Sequence, residues 1–459
     1  MKQVTSRTIA AFCVPQFAVG LFTAMLNNYL IYFYQPSAES GLPTLITQGT
    51  VILGFLTVVG LLKAIGHVFD AVTDPLVASW SDKCKNPKGR RIPFMKWAAI
   101  PFGLSALLMF CVPQAAPGMV NNIWLAVCLW SYYLFYTLYM IPHNALLPEM
   151  ISDQNQRVNA YTMHSLFFVT GSAMGYVTPL IVSILKKSGL PAVWAWRSTF
   201  ALFTVIGIVL LLVPVALIRE KDYVSSVLPT VSLSQSIRHA FANRHFRWVT
   251  LGQLLEGTGM SFFQACIMYY VTSLMGLPEE ASVAILAISI AGSLLLYPLV
   301  NRWAKHSGKR TPILLGCMVF TAAELVICFC ADLPGPAMVK AVLLAVFVSF
   351  PFAVLNILPS SMMADVIQYD TITTGVNQEG IFSAARSFIT KLGTSLAIMI
   401  VPSLTVIGAA AGENIGRLGL KITALVGGLF CLGAIWAFSM YREKEVLGVI
   451  NAHKQEVSL

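Results

Sequence analysis

Long apolar runs recur along the whole chain, about one every 30 to 40 residues, and each is long enough to cross a hydrocarbon layer of about 30 Å as a helix. A water-soluble fold has no way to cover so much apolar surface. Of the 459 residues 57% are hydrophobic and only 11% charged, with a mean hydropathy of +0.73, against roughly 25% charged in an ordinary soluble domain. The bilayer is therefore the solvent. In lipid every backbone N–H and C=O must be satisfied within the protein, which leaves helices or closed barrels. Barrel strands would show as short segments alternating apolar and polar residues, and these runs do not alternate. The reading is an all-α membrane protein with about twelve spans, near residues 8–34, 48–80, 93–113, 119–148, 160–185, 193–218, 247–275, 280–303, 312–331, 336–364, 378–409 and 415–442.

The basic residues orient these spans. With the N-terminus in the cytoplasm, Lys186, Lys187, Arg197, Lys340, Arg417 and Lys421 fall outside, Lys63, Arg386 and Lys391 fall inside spans, and the other 21 of the 30 fall in cytoplasmic segments. That asymmetry places both termini in the cytoplasm. The net charge of +10 sits in short loops such as Ser81 to Lys96, so it reports topology and not a nucleic-acid partner. The first span has no cleavage-site pattern and is expected to be retained, as a multi-pass protein of a plasma or bacterial inner membrane. Nine scattered cysteines lack metal-ligand spacing and read as single buried thiols.

A repeat divides the chain. Pro75-Leu76-Val77, Trp80 and Gly89-Arg90-Arg91-Ile92-Pro93 follow the second span, and Pro298-Leu299-Val300, Trp303 and Gly308-Lys309-Arg310-Thr311-Pro312 follow the eighth. Both copies lie on the same side, so two six-helix halves of like orientation are expected, with a cavity between them, as in transporters built from parallel repeats. The expected organisation is an N-terminal bundle over 1–218, a linker over 219–246 with an amphipathic helix at Ser232 to Phe246, a C-terminal bundle over 247–442 and a tail over 443–459.

Ionisable groups inside spans need a partner or a watery cavity. Lys63, His67, Asp70 and Asp74 in the second span lie within about 60° of arc on one helix face. Asp70 and Asp74, with Thr73 between them, are hard oxygen donors that repel one another unless a cation or proton lies between. A coupling-ion site is the first reading; an ion-pair ladder with Lys63 and His67 is the second. Arg386 and Lys391 in the eleventh span lie about 140° apart, so they do not share one narrow stripe. Gln16, Asn27, Asn28, Thr137, Asn144, His164, Glu256 and Gln264 either line a cavity or bond neighbouring helices. The seven histidines form no catalytic or metal cluster and no sizeable soluble domain is present, which argues against an enzyme or a receptor.

Phe69-Asp70-Ala71-Val72-Thr73-Asp74-Pro75, followed by Asp82, Lys83, Gly89, Arg90 and Arg91, resembles the second span and loop of the glycoside-pentoside-hexuronide:cation symporters, a branch of the major facilitator superfamily that includes melibiose permease. Ala364-Asp365-Val366, Tyr369-Asp370, Thr374-Gly375, Glu379-Gly380 and Lys391 match the family's spacing in the second half. The resemblance implies sodium- or proton-coupled symport by alternating access, with no cofactor beyond the ion and a monomer as the working unit. It implies a cation site of Asp70, Thr73, Asp74 and Thr137, with Thr73 where melibiose permease has Asn, and sodium coordinated by Asp70 and Asp74 if sodium is the ion. On the solute side the family's acids appear as Gln16 and Met140, its aromatic as Asn144 and its span-five arginine as His164, while Lys391 is retained beside Arg386. A small-molecule sugar or glycoside, including a pentoside or hexuronide, is the first expectation. A sodium-coupled lysolipid or other amphiphile is the second. Asp82, Lys83, Arg90, Arg91 and Asp365 are expected to latch one conformation through charge pairs.

Overall fold

The computed structural model describes residues 4–37, 40–47, 57–82, 84, 86–87, 89–151, 154–223, 240–330, 333–375, 379–410 and 413–458. The chain falls into two compact units, Met1–Pro229 and Thr230–Leu459.

The first unit is built from α1 (Ser6–Tyr34), α2 (Val58–Asp82), α3 (Ile92–Leu108), α4 (Met119–Met150), α5 (Gln154–Tyr176, continued by Thr178–Lys187) and α6 (Ala192–Leu217). The second holds α7 (Arg244–Tyr269, running on as a π turn over Tyr270–Leu274), α8 (Ala281–Ser307), α9 (Arg310–Phe329), α10 (Ala337–Leu355 and Leu358–Thr374), α11 (Glu379–Thr405), α12 (Arg417–Ser439) and α13 (Glu443–Ser458). Among the described residues nine helices are long and apolar enough to cross a membrane; α3, at 17 residues, is a shorter apolar helix. Residues 48–56 of the expected second span, Lys83, and residues 224–239 of the linker lie outside the described residues, as do most of the expected amphipathic helix and the side chain of Asp82.

Lipid explains the surface. Large apolar side chains stand exposed along the helices, Leu295 at 81% and Trp97 at 80% among them. On α2, Ile65, Val68, Val72, Leu76 and Trp80 recur every three or four residues on the exposed face, opposite the stripe of Lys63, His67, Asp70 and Asp74. Helix contacts inside each unit depend on small residues, because lipid gives apolar side chains no drive to associate. A Cβ on Gly20 of α1 would lie 2.2 Å from the Phe168 carbonyl oxygen of α5, and one on Gly171 of α5 would lie 2.0 Å from that of Phe17. In the second unit Gly259 of α7 sits against Cys431 and the Gly427 carbonyl of α12 in the same manner.

Prolines act at two kinds of place. Pro15 and Pro359 stand in the first turn of a restarted helix, where a missing N–H costs nothing. Pro351 lies within the first half of α10, which breaks at Asn356 and Ile357. Both α1 and α7 carry a five-residue π turn, Met25–Tyr29 and Tyr270–Leu274, at corresponding points of the two units.

The tail is helical over Glu443–Ser458 and packs against the second half of α10, with His245 at the head of α7 lying 3.6 Å from Glu445. Two expectations are corrected. Arg244 to Phe246, assigned to the linker, are the first turn of α7, capped by the Asn243 side chain, which accepts from the His245 and Phe246 amides. Of the nine free thiols seven are buried, whereas Cys84 and Cys111 are half-buried.

Candidate functional site

The polar stripe of α2 meets α4 within the first unit. Thr137 of α4 is fully buried, and its hydroxyl lies 2.6 Å from Asp70 Oδ1 and 3.2 Å from Asp74 Oδ1. One hydroxyl therefore spans two carboxylates on successive turns of α2, whose bonded oxygens are no more than 5.8 Å apart, the sum of the two bonds. Thr73 donates to the Asp70 backbone carbonyl at 3.1 Å. Asp70, Thr73 and Thr137 are buried and Asp74 is half-buried. Three oxygen-bearing side chains, of Asp70, Asp74 and Thr137, thus meet from two helices.

Both basic groups of the stripe also have partners on neighbouring helices. Lys63 is fully buried and its ammonium donates to the Leu26 carbonyl of α1 at 3.2 Å, inside the π turn. His67 Nε2 lies 3.1 Å from the Tyr133 hydroxyl of α4. Lys63 thereby anchors α2 to α1. A π turn leaves carbonyls off the ordinary i to i−4 ladder, and a buried ammonium needs such an acceptor.

On the α4 face that carries Thr137, Met140 follows one turn on and Asn144 two turns on. Met140 is buried with its sulfur 3.9 Å from Gln16 Nε2 of α1, while Asn144 is exposed. His164 of α5 is half-buried, its ring 5.9 Å from that of His143. The spacing argument missed His143: its Nε2 bonds to the Phe12 carbonyl at 2.8 Å and its ring stacks on Phe12 at 4.1 Å. In the second unit, Arg386 Nη2 donates to Ser360 Oγ of α10 at 2.8 Å, and Lys391, five residues further along α11, is half-buried.

The two copies of the glycine-and-basic turn each enclose a glutamate. Gly89 and Gly308 have φ of 122° and 82°, a region where a side chain is strained. Glu220, just past α6, accepts from the amides of Arg90 at 2.7 Å, Arg91 at 2.8 Å and Ile92 at 3.1 Å. Glu443, just past α12, accepts from those of Lys309 at 2.5 Å and Arg310 at 3.2 Å. A Cβ on either glycine would collide with the glutamate, at 2.2 Å from Glu220 Oε2 and 2.5 Å from Glu443 Oε2. Each carboxylate thus satisfies the orphan donors that open α3 and α9. The signal is a triplet outside the motifs read above: Arg219-Glu220-Lys221 recurs as Arg442-Glu443-Lys444. Of the expected latch residues, Arg91 donates to Ser81 Oγ at 2.6 Å, the Arg90 backbone is held by Glu220, and Asp365 pairs with Lys309 of its own unit at 2.6 Å.

This helical fold, with its buried oxygen cluster, defines a membrane transporter of the major facilitator superfamily. The chain resembles in structure a bacterial homologue of the human lysosomal transporter Spinster, with a TM-score of 0.64 over 96% of this chain and 97% of that one, at 13% identity, which speaks to fold alone. It matches the MFS/sugar transport protein family over residues 11–443 and belongs to it, as one of the glycoside-pentoside-hexuronide:cation symporters. Among its relatives are an isoprimeverose transporter of Lactiplantibacillus pentosus, 22% identical over 84% of this chain and 77% of that protein, and a putative glycoside/cation symporter of Escherichia coli K12, YagG, 24% identical over 94% and 89%.

Proposed function

We propose that this chain is a secondary transporter that couples entry of a cation, sodium or proton, to movement of a sugar or glycoside by alternating access. The observation that carries the reading is the Thr137 hydroxyl spanning Asp70 and Asp74, on a helix whose opposite face is exposed and apolar. Two carboxylates so close favour any small cation that lowers their repulsion, and threonine oxygens supply further hard ligands. Asp70 and Asp74, with Thr73 and Thr137, take the ion. The relatives' names, a sugar transporter and a glycoside/cation symporter, support the substrate class and the coupling. Gln16, Met140, Asn144 and His164 from the first unit, and Arg386 and Lys391 from the second, are assigned to the solute. The basic turns with Asp365 are assigned to a conformational latch, in a bacterial inner membrane with both termini cytoplasmic.

The test is uptake of a labelled sugar panel into proteoliposomes, with and without a sodium or proton gradient, for wild type and Asp74→Asn. Gradient-driven accumulation lost in the variant supports the assignment. Unchanged cation dependence overturns the ion site, and movement of lysolipids with no sugar overturns the substrate class.

A further inference from the structure

Glu324 stands on α9, 14 residues after Arg310 and roughly 21 Å along the helix from its start. It is 0% exposed, and neither of its carboxylate oxygens has a hydrogen-bond partner among the described residues. Space for it comes from consecutive glycines of α12: a Cβ on Gly427 would lie 3.5 Å from Glu324 Oε1, and one on Gly428 3.5 Å from Glu324 Cβ. The ionisable groups that face it are Cys266 of α7, Tyr270 of the π turn, Cys328 one turn along α9 and Cys431 of α12. None of them is a basic group. The cations of the surrounding helices are placed elsewhere. Lys340 of α10 donates to the Cys330 and Leu333 carbonyls past the end of α9, and Lys309 pairs with Asp365 of α10 beyond its start. Arg302, Lys305 and His306 lie in the last two turns of α8, and Lys421 of α12 acts on Cys328.

An unpaired carboxylate in such a place is prohibitively costly, so the group is carried as the neutral acid. A neutral acid that makes no hydrogen bond adds nothing to the fold that an apolar side chain would not. What glutamate adds is the capacity to change charge. We propose that Glu324 is a proton-binding site of the second unit, separate from the aspartate pair of the first, which holds its proton in this conformation and releases it to water when the Gly427-Gly428 face of α12 moves off it. On release the carboxyl O–H bond breaks, the proton passes to water and a carboxylate remains; reclosure reverses the step. No other reactant is required.

The experiment uses the full chain in proteoliposomes without added solute. Infrared difference spectra of wild type against Glu324→Gln isolate the protonated-carboxyl C=O band of this residue, followed from mildly acid to mildly alkaline pH. The expected result is a band present in acid, lost in alkali and missing from the variant, with the same titration in Asp74→Asn. A band that persists at every pH makes Glu324 a structural acid only and overturns the proposal, as does the lack of a band at any pH. Should Glu324→Gln fail to fold, labelling of wild type by dicyclohexylcarbodiimide, mapped by peptide mass spectrometry, gives the same reading. Labelling of Glu324 lost on alkalinisation supports the site; pH-independent labelling, or none, overturns it. Neither measurement depends on which solute or coupling ion the transporter uses.

Discussion

The hydroxyl of Thr137 lies 2.6 Å from a carboxylate oxygen of Asp70, a bond made across two helices at a site that water does not freely reach. With Asp74 at 3.2 Å from the same hydroxyl, the α4 side chain holds two carboxyl groups in register. Thr137→Val keeps the shape and removes the donor. The expected outcome is weaker cation activation, by roughly tenfold in the concentration giving half-maximal uptake, or about 1.4 kcal/mol, with the protein still folded. Uptake measured against sodium concentration and external pH checks it.

Glu220 satisfies three backbone amides at once. Removing it leaves donors unpaired at the start of α3, where Arg91 and Ile92 are buried, so Glu220→Ala should cost about 2 to 4 kcal/mol. Glu443→Ala, which releases two amides, should cost less. Thermal unfolding of both variants in the same detergent gives the order.

Glycine packing makes a paired prediction. Gly171→Ala forces a methyl to 2.0 Å from the Phe17 carbonyl oxygen, so α5 must part from α1, at about 1 to 3 kcal/mol. Gly257→Ala, on α7 with nothing within 4 Å of the new methyl, should be neutral or mildly stabilising, since alanine favours helix by about 1 kcal/mol. Equal melting temperatures for the two variants would contradict this packing.

His245 lies ahead of the seventh span, and burial pushes its imidazole below the ordinary value while Glu445, 3.6 Å away, pulls in the opposite sense without prevailing. The folded protein therefore binds this proton less readily than the unfolded chain does. Stability from this site is complete above the unfolded pKa of about 6.5 and declines as pH falls through the folded value. Melting temperatures recorded from neutral to acid pH should drop more steeply for wild type than for His245→Gln.

The parts of the fold legible in the sequence are those governed by periodicity and solvent. The α2 stripe follows from spacings of 4, 7 and 11 residues, and the lipid-facing run from Ile65 to Trp80 is its complement. Thr137 stood out only as one of several polar residues within spans, and its place beside the aspartates came through resemblance, because nothing local gives a threonine in an apolar span a partner. The Lys63 contact with α1 was not legible, because its partner is a backbone carbonyl within a π turn and side-chain spacing does not register backbone irregularity. Glu324 is a lone acid in its span, and its isolation depends on two glycines more than 100 residues further along the chain. The Arg-Glu-Lys triplets were visible as letters, but their role emerges only when the chain brings each glutamate back across about 130 residues.

Those two returning glutamates have a mechanical consequence. Each grips the opening turn of a helix three places earlier in its unit, immediately after that unit's last membrane-crossing helix. A pull on the chain leaving α6 or α12 is therefore borne by the first turn of α3 or α9 as well as by the helix it follows. Each six-helix unit is stiffened at that edge like a hoop closed by a rivet, and a motion that bends α3 or α9 away from its neighbour must first shear the rivet.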